Sequence, residues 1–132
     1  MNEGPSLLDA LVGYAPAQVV YTAARLGIAD QLARGPMTSV ELAGAVGAHE
    51  PTLRRLLRGL ACLGGVVEIE PGRYELTPDG QRLRDDAPDT IRHLALYLMG
   101  THAWSAWGEL EYSVRTGKPA WDKVTGTSSF EF

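Results

Sequence analysis

The chain has 132 residues, of which 45% are hydrophobic and 21% charged, with 12 basic and 16 acidic side chains giving a formal net charge of −4. That length suits one core of ordinary size rather than two full domains, and the composition excludes a disordered tail or a fibrous repeat. The acidic balance argues against a chain whose main task is neutralising phosphates, although a local basic patch is compatible with it.

The lone cysteine, Cys62, excludes an internal disulfide framework and fits a reducing compartment. No apolar run approaches the roughly 20 residues needed to span a bilayer. Met1 to Pro5 lack the positive region of a signal peptide. The expectation is a single cytoplasmic domain without a membrane segment.

Leu7, Leu8, Leu11 and Val12 repeat at helical spacing and predict a short amphipathic helix. Pro16 fits the first turn of a second helix, where its missing N–H costs nothing. That helix carries Val19, Val20, Ala23, Ala24 and Leu26, and Arg25 is the one ionised residue between Ala15 and Ala29. A helix apolar most of the way round has to be covered, and in so small a domain a second chain is the expected cover.

Thr38-Ser39-Val40-Glu41 spells a capping box, after which Leu42, Ala43 and Val46 face inward and Gly47 ends the helix. Pro51 opens the next helix. There Leu53, Leu56, Leu57, Leu60 and Leu63 fall on one arc, and Arg54, Arg55 and Arg58 on the other. Gly64-Gly65 terminates it. Residues 66–70 and 73–76 then read as two strands joined at Pro71-Gly72, and Thr77-Pro78 restarts a short helix. Helix, turn, helix and a two-stranded wing give a mainly α fold, a winged helix-turn-helix with one small β-hairpin.

Beyond it, Ile91, Leu94, Ala95 and Leu98 form one helical stripe ending near Gly100. Trp104, Trp107, Leu110 and Val114 form another that stops at Gly117. Residues 118–132 show no period and read as a linker, so the expected boundaries are a winged-helix domain over 1–117 and a linker over 118–132.

Arg54, Arg55 and Arg58 are placed as a recognition helix would place phosphate-binding side chains. Against DNA stands the balance of residues 38–84, where Arg54, Arg55, Arg58, Arg73, Arg82 and Arg84 meet Glu41, Glu50, Glu68, Glu70, Glu75 and Asp79. The acidic wing would repel phosphate. His49, His93 and His102 form no i, i+4 pair and Cys62 has no cysteine partner, so no metal site is expected. No two of the 15 glycines are separated by a single intervening residue, so no G-x-G occurs, and no strand–glycine loop–helix unit exists to hold a dinucleotide or adenosyl cofactor. No catalytic residue is expected either. Met99, His102, Trp104 and Trp107 are the one cluster that suits an aromatic small molecule, although tryptophans at this spacing equally serve cores and interfaces.

Leu26 to Leu32 with Gly35-Pro36 and residues 38–43 resemble the opening of bacterial and plant small-molecule O-methyltransferases. So do residues 53–60 with Gly64-Gly65-Val66, and 74–80. The most specific run is Trp107 to Leu110 followed by Ser113 to Trp121, with Gly126 and Phe130-Glu131; it is similar to methyltransferases that tailor polyketides and other natural products. The resemblance implies an N-terminal domain whose winged helix carries flanking dimerisation helices and helps to cover the acceptor. Leu7, Leu8, Leu11, Val19, Val20, Ala23, Leu94 and Leu98 would then lie at a homodimer interface, and Met99, His102, Trp104 and Trp107 nearest a small aromatic substrate.

The resemblance also implies a Rossmann-like domain with the S-adenosylmethionine loop, the ribose ligand and the catalytic base, and none of these motifs occurs in the chain. S-adenosylmethionine is therefore expected only where such a domain is supplied, and methyl transfer by these residues alone is not expected. Two other readings stay open, a free-standing small-molecule-binding or auxiliary biosynthetic protein and a winged-helix transcription regulator.

Overall fold

The structure, a computed structural model, describes residue 4 and residues 6–127. Two compact units divide the chain, one up to Ala95 and the other from Leu96.

The first unit opens with α1 (Leu7–Val12), started by a reciprocal box in which the Asp9 N–H donates to Ser6 Oγ and the Ser6 N–H to Asp9 Oδ2. No residue of α1 is buried. Helix α2 (Tyr14–Leu26) begins two residues before Pro16, leaving the proline in the first turn, where no intrahelical N–H is required. Gly27, at φ 73°, ends α2 and starts α3 (Ile28–Leu32). That positive φ is why a glycine stands at the interruption.

The capping box at Thr38 forms as the sequence predicts. The Glu41 N–H donates to Thr38 Oγ1 at 3.1 Å, the Thr38 N–H donates to Glu41 Oε1 at 2.9 Å, and α4 (Ser39–Val46) follows. In α5 (Glu50–Cys62), Leu53, Leu57 and Leu60 are buried while the three arginines face water. Leu63 departs from the expected arc. It caps the helix instead of continuing it and is exposed.

The wing is β2 (Val66–Glu70) and β3 (Arg73–Leu76), antiparallel, turning at Gly72 with φ 77°. A third strand joins it. β1 (Met37–Thr38) pairs with β3 through Met37↔Tyr74 and Thr38↔Arg73, giving the sheet order β1-β3-β2. Two residues are too few to show an alternating pattern, so the hairpin alone was legible. The core gathers Ile28, Leu42 and Leu57 with Leu53, Leu60, Val66 and Tyr74 around them.

The helix expected after Thr77 is a single 3-10 turn, Gly80–Leu83, whose Gly80 N–H donates to Thr77 Oγ1 at 2.9 Å. Helix α6 (Arg92–Leu98) begins in this unit.

The second unit holds α7 (Thr101–Gly108), α8 (Leu110–Thr116) and α9 (Ala120–Thr125). The stripe from Trp104 to Val114 is thus divided between two helices, broken at Glu109 with φ −104° and ψ 23°. Within the stretch read as a linker, α9 forms a full turn and more. Pro119 precedes it, Ala120 is buried, and Gly126 closes it at φ 79°. The helix packs chiefly against α7, and Lys123 Nζ also meets Glu109 Oε2 at 2.7 Å and lies 4.8 Å from the Tyr112 ring centroid. Six residues give no readable period. Phe130, Glu131 and Phe132 lie outside the described residues.

Candidate functional site

The residues proposed for a partner chain divide into two sets. Leu7, Leu8 and Leu11 stand open on α1, with Leu7 93% exposed, and Leu94 and Leu98 are exposed on α6. A leucine held in water forgoes roughly 1.5–3 kcal/mol of burial. On α2 the expectation needs correction at Ala23 alone. Ala23 is 1% exposed, so its side chain belongs to the core of its own chain. Val19 seats on α5, its Cγ2 3.6 Å from where a β-carbon on Gly59 would stand, and Val20 is half-buried. That is an ordinary van der Waals separation, and α2 packs on α5 there.

Met99, His102, Trp104 and Trp107 do not converge. Trp104 and Trp107 share a hollow of about 270 Å³ with Gly108, and Trp107 is 69% exposed. His102 instead borders a hollow of about 130 Å³ with Tyr97, Gly100 and Trp121. Its ring centroid lies 6.3 Å from that of Trp121 at 47°. Met99 is half-buried and lines neither hollow. On a helix, residues three apart share a face, while two residues turn the chain through about 200°, so His102 and Trp104 leave α7 on opposite sides. Trp121 was missed because its helix was missed; its place just after Pro119-Ala120, a helix start, was the available signal.

The arginine face of α5 borders an open groove of about 580 Å³ with Thr38, Ser39, Glu50, Glu68 and Gly72. Guanidinium and carboxylate groups alternate around it. Arg54 binds Glu50 through Nε and Nη2, and Ser39 Oγ donates to Glu50 Oε1 at 2.9 Å. The Arg54 hydrogen bond, with the one from Ser39 behind it, holds the Glu50 carboxyl below its ordinary range. The Gly72 N–H, followed by the Tyr74 hydroxyl, does the same for Glu68. Built-in carboxylates thus answer the cations that a phosphate-reading face would leave free.

Among the described residues no group of three or more His, Cys, Asp or Glu is placed to hold a metal ion, and no helix is long and apolar enough to cross a membrane.

The described residues thus form a three-stranded winged helix with apolar side chains left open on α1 and α6. The model of the O-methyltransferase dimerisation domain matches residues 8–85, and the chain belongs to that family. It is 40% identical over 126 residues to the phenazine O-methyltransferase PhzM of Lysobacter antibioticus, covering 96% of this chain and 37% of the relative. It is 36% identical to the O-demethylpuromycin-O-methyltransferase of Streptomyces alboniger, covering 96% of this chain and 33% of that protein.

Among solved structures, the crystal structure of LaPhzM superposes with a TM-score of 0.89 at 41% identity, over 95% of this chain and 37% of that one. An O-methyltransferase from neocarzinostatin biosynthesis, solved with S-adenosylmethionine and 2-hydroxy-5-methyl naphthoic acid, superposes at 0.78 with 37% identity, over 98% of this chain and 40% of its own. The chain thus spans little more than a third of the length of these relatives.

Among the described residues there is no Rossmann-type frame for an adenosyl cofactor. Every strand pairing is antiparallel, so no parallel strand runs through a glycine turn into a helix.

Proposed function

We propose that this chain is a module through which two copies of an S-adenosylmethionine-dependent O-methyltransferase associate in the cytoplasm, each enzyme acting on a small aromatic natural product. On this reading a Rossmann-like domain supplies the cofactor site and the catalytic base, and this chain contributes association and cover. The observation that carries the reading is the open face of α1, where Leu7, Leu8 and Leu11 lie in water on a helix with no buried residue. An isolated six-residue helix has too few hydrogen bonds to persist, so α1 needs a surface to lie on. Leu94 is a further exposed apolar residue of the same unit, and Leu98 is one in the second unit.

Sedimentation equilibrium of the chain tests this. A dimer at micromolar concentration, weakened at least tenfold by Leu8→Glu with Leu11→Glu, is the expected result. A wild-type monomer at tens of micromolar removes the reading.

A narrower reading concerns the acceptor. The hollow beside Trp104 and Trp107, about 270 Å³, presents indole faces suited to a planar aromatic. His102 is left out of it by its position on the other side of α7. Quenching of tryptophan emission by hydroxylated naphthoates, abolished in the Trp107→Leu variant, would support the assignment. A signal unchanged across such a panel would remove Trp104 and Trp107 from the acceptor site.

A further inference from the structure

Helix α6 has no buried residue, and its Leu94, Tyr97 and Leu98 are all exposed. At seven residues it is also below the length at which helices hold themselves. Apolar cover of its first turn is limited to the half-buried Ala95 and, just before it, Ile91. The polar contacts there are concentrated on one side chain. Arg92 is only 22% exposed, and its Nε donates to the carbonyl oxygen of Ala24 at 3.1 Å. Its Nη1 lies 3.4 Å from Asp85 Oδ1, and its backbone N–H donates to Thr90 Oγ1 at 3.1 Å.

We infer that Arg92 is a positioning residue that clamps the first turn of α6 onto the C-terminal end of α2, and so fixes how Leu94 is offered to a partner. The consequence for the partner rests on the association reading above; the clamp itself does not. Ala24 lies in the last turn of α2, where unpaired carbonyls and the negative end of the helix dipole favour a cation. Its residue is 1% exposed, so water does not compete freely for the site. The same oxygen accepts the Gly27 N–H at 3.2 Å, which satisfies one lone pair and leaves the second for the guanidinium.

Around the clamp, the Asp85 N–H donates to Asp30 Oδ1 at 2.9 Å, and His93 Nε2 lies 3.2 Å from Asp85 Oδ1. Asp85 is exposed, however, and exposed ion pairs contribute little. The carbonyl bond is therefore the working contact and the ion pair an accessory.

The test is amide hydrogen exchange and sedimentation equilibrium on the wild-type chain, Arg92→Met and Asp85→Asn. Methionine keeps an unbranched stem of similar length and removes the guanidinium. The expected result for Arg92→Met is exchange at least tenfold faster at Ala95 and the following α6 amides, with the α5 amides of Leu57 and Leu60 unchanged. A dimer dissociation constant at least tenfold higher should accompany it. Asp85→Asn should stay within twofold of wild type in both measurements.

Unchanged α6 exchange in Arg92→Met overturns the clamp. So does an equal acceleration in α5, which would make Arg92 a general stabiliser, or an Asp85→Asn variant that behaves like Arg92→Met. A wild-type monomer in which Arg92→Met still loosens α6 supports the clamp and refutes the association reading instead.

Discussion

Gly80 lies directly against the carbonyl of Gly65: a β-carbon on residue 80 would stand 1.9 Å from the Gly65 oxygen. The 3-10 turn after the wing and the start of β2 are pressed together there without a side chain between them. The carbonyl has little room to retreat, since it accepts the Thr77 N–H at 3.2 Å and the Thr77 hydroxyl at 3.1 Å.

Gly80→Ala should therefore destabilise the chain by about 2–3 kcal/mol, at the upper end of ordinary overpacking, because the clash falls on backbone rather than on a pliable side chain. Urea unfolding followed by circular dichroism measures it. Gly44→Ala is the opposite case. Gly44 lies inside α4 with no atom within 4 Å of the added methyl, so alanine should stabilise by roughly 0.5–1 kcal/mol through backbone entropy and helix propensity.

Why the wing and α4–α5 were readable while the later helices were only partly so follows from the kinds of signal they carry. The Thr38–Glu41 box, Gly47 and Gly72 each satisfy a local requirement that a few adjacent residues spell out. The leucine arc of α5 is long enough to show its period, and it fails only at Leu63, where the helix has ended. By contrast, β1 and α9 have two and six residues and are held by partners distant in sequence, Tyr74 and Arg73 for one, Glu109 and Tyr112 for the other. The candidate site suffered from the same limit. Trp104 with Trp107 was visible from i, i+3 spacing, but the pairing of His102 with Trp121 crosses nineteen positions of sequence and a helix that no period announced. Ala23 shows the converse: an apolar residue on a charge-poor helix, expected at a partner chain, lies in the core of its own chain because α2 packs on α3 and α5.

Core and surface apolar residues should separate cleanly by experiment. Leu57 is 0% exposed, and Leu57→Ala should cost about 2–5 kcal/mol of folding stability through lost burial and the cavity left behind. Val114→Ser, on an exposed position of α8, should shift the unfolding free energy of the dilute chain by no more than about 0.5 kcal/mol. Equal losses from the two would mean that Val114 is covered in solution.

The capping box of α4 offers a local test. Thr38→Ala removes the acceptor for the Glu41 N–H and should cost about 1 kcal/mol, whereas Thr38→Ser retains the hydroxyl and most of the stability. Thermal unfolding of the three proteins at equal concentration would rank them wild type, serine, alanine.

The pH dependence of stability should carry two signatures from the groove beside α5. The carboxyl of Glu50 is held below its ordinary 4.5 by hydrogen bonds from Arg54 and then Ser39. Its contribution is thus complete above the unfolded value and is lost as pH falls through the lower folded value. Tyr74 moves the other way. Burial first, then its hydrogen bond to Glu68, raises the phenol above its ordinary 10.0. Folding favours the neutral phenol, so that contribution is complete below pH 10 and disappears as pH rises through the folded value. Urea midpoints measured across the range should show Glu50→Gln with a shallower acid limb and Tyr74→Phe with a shallower alkaline one. A Tyr74→Phe chain that loses stability above pH 10 as steeply as wild type would place the alkaline titration elsewhere and remove Tyr74 as its source.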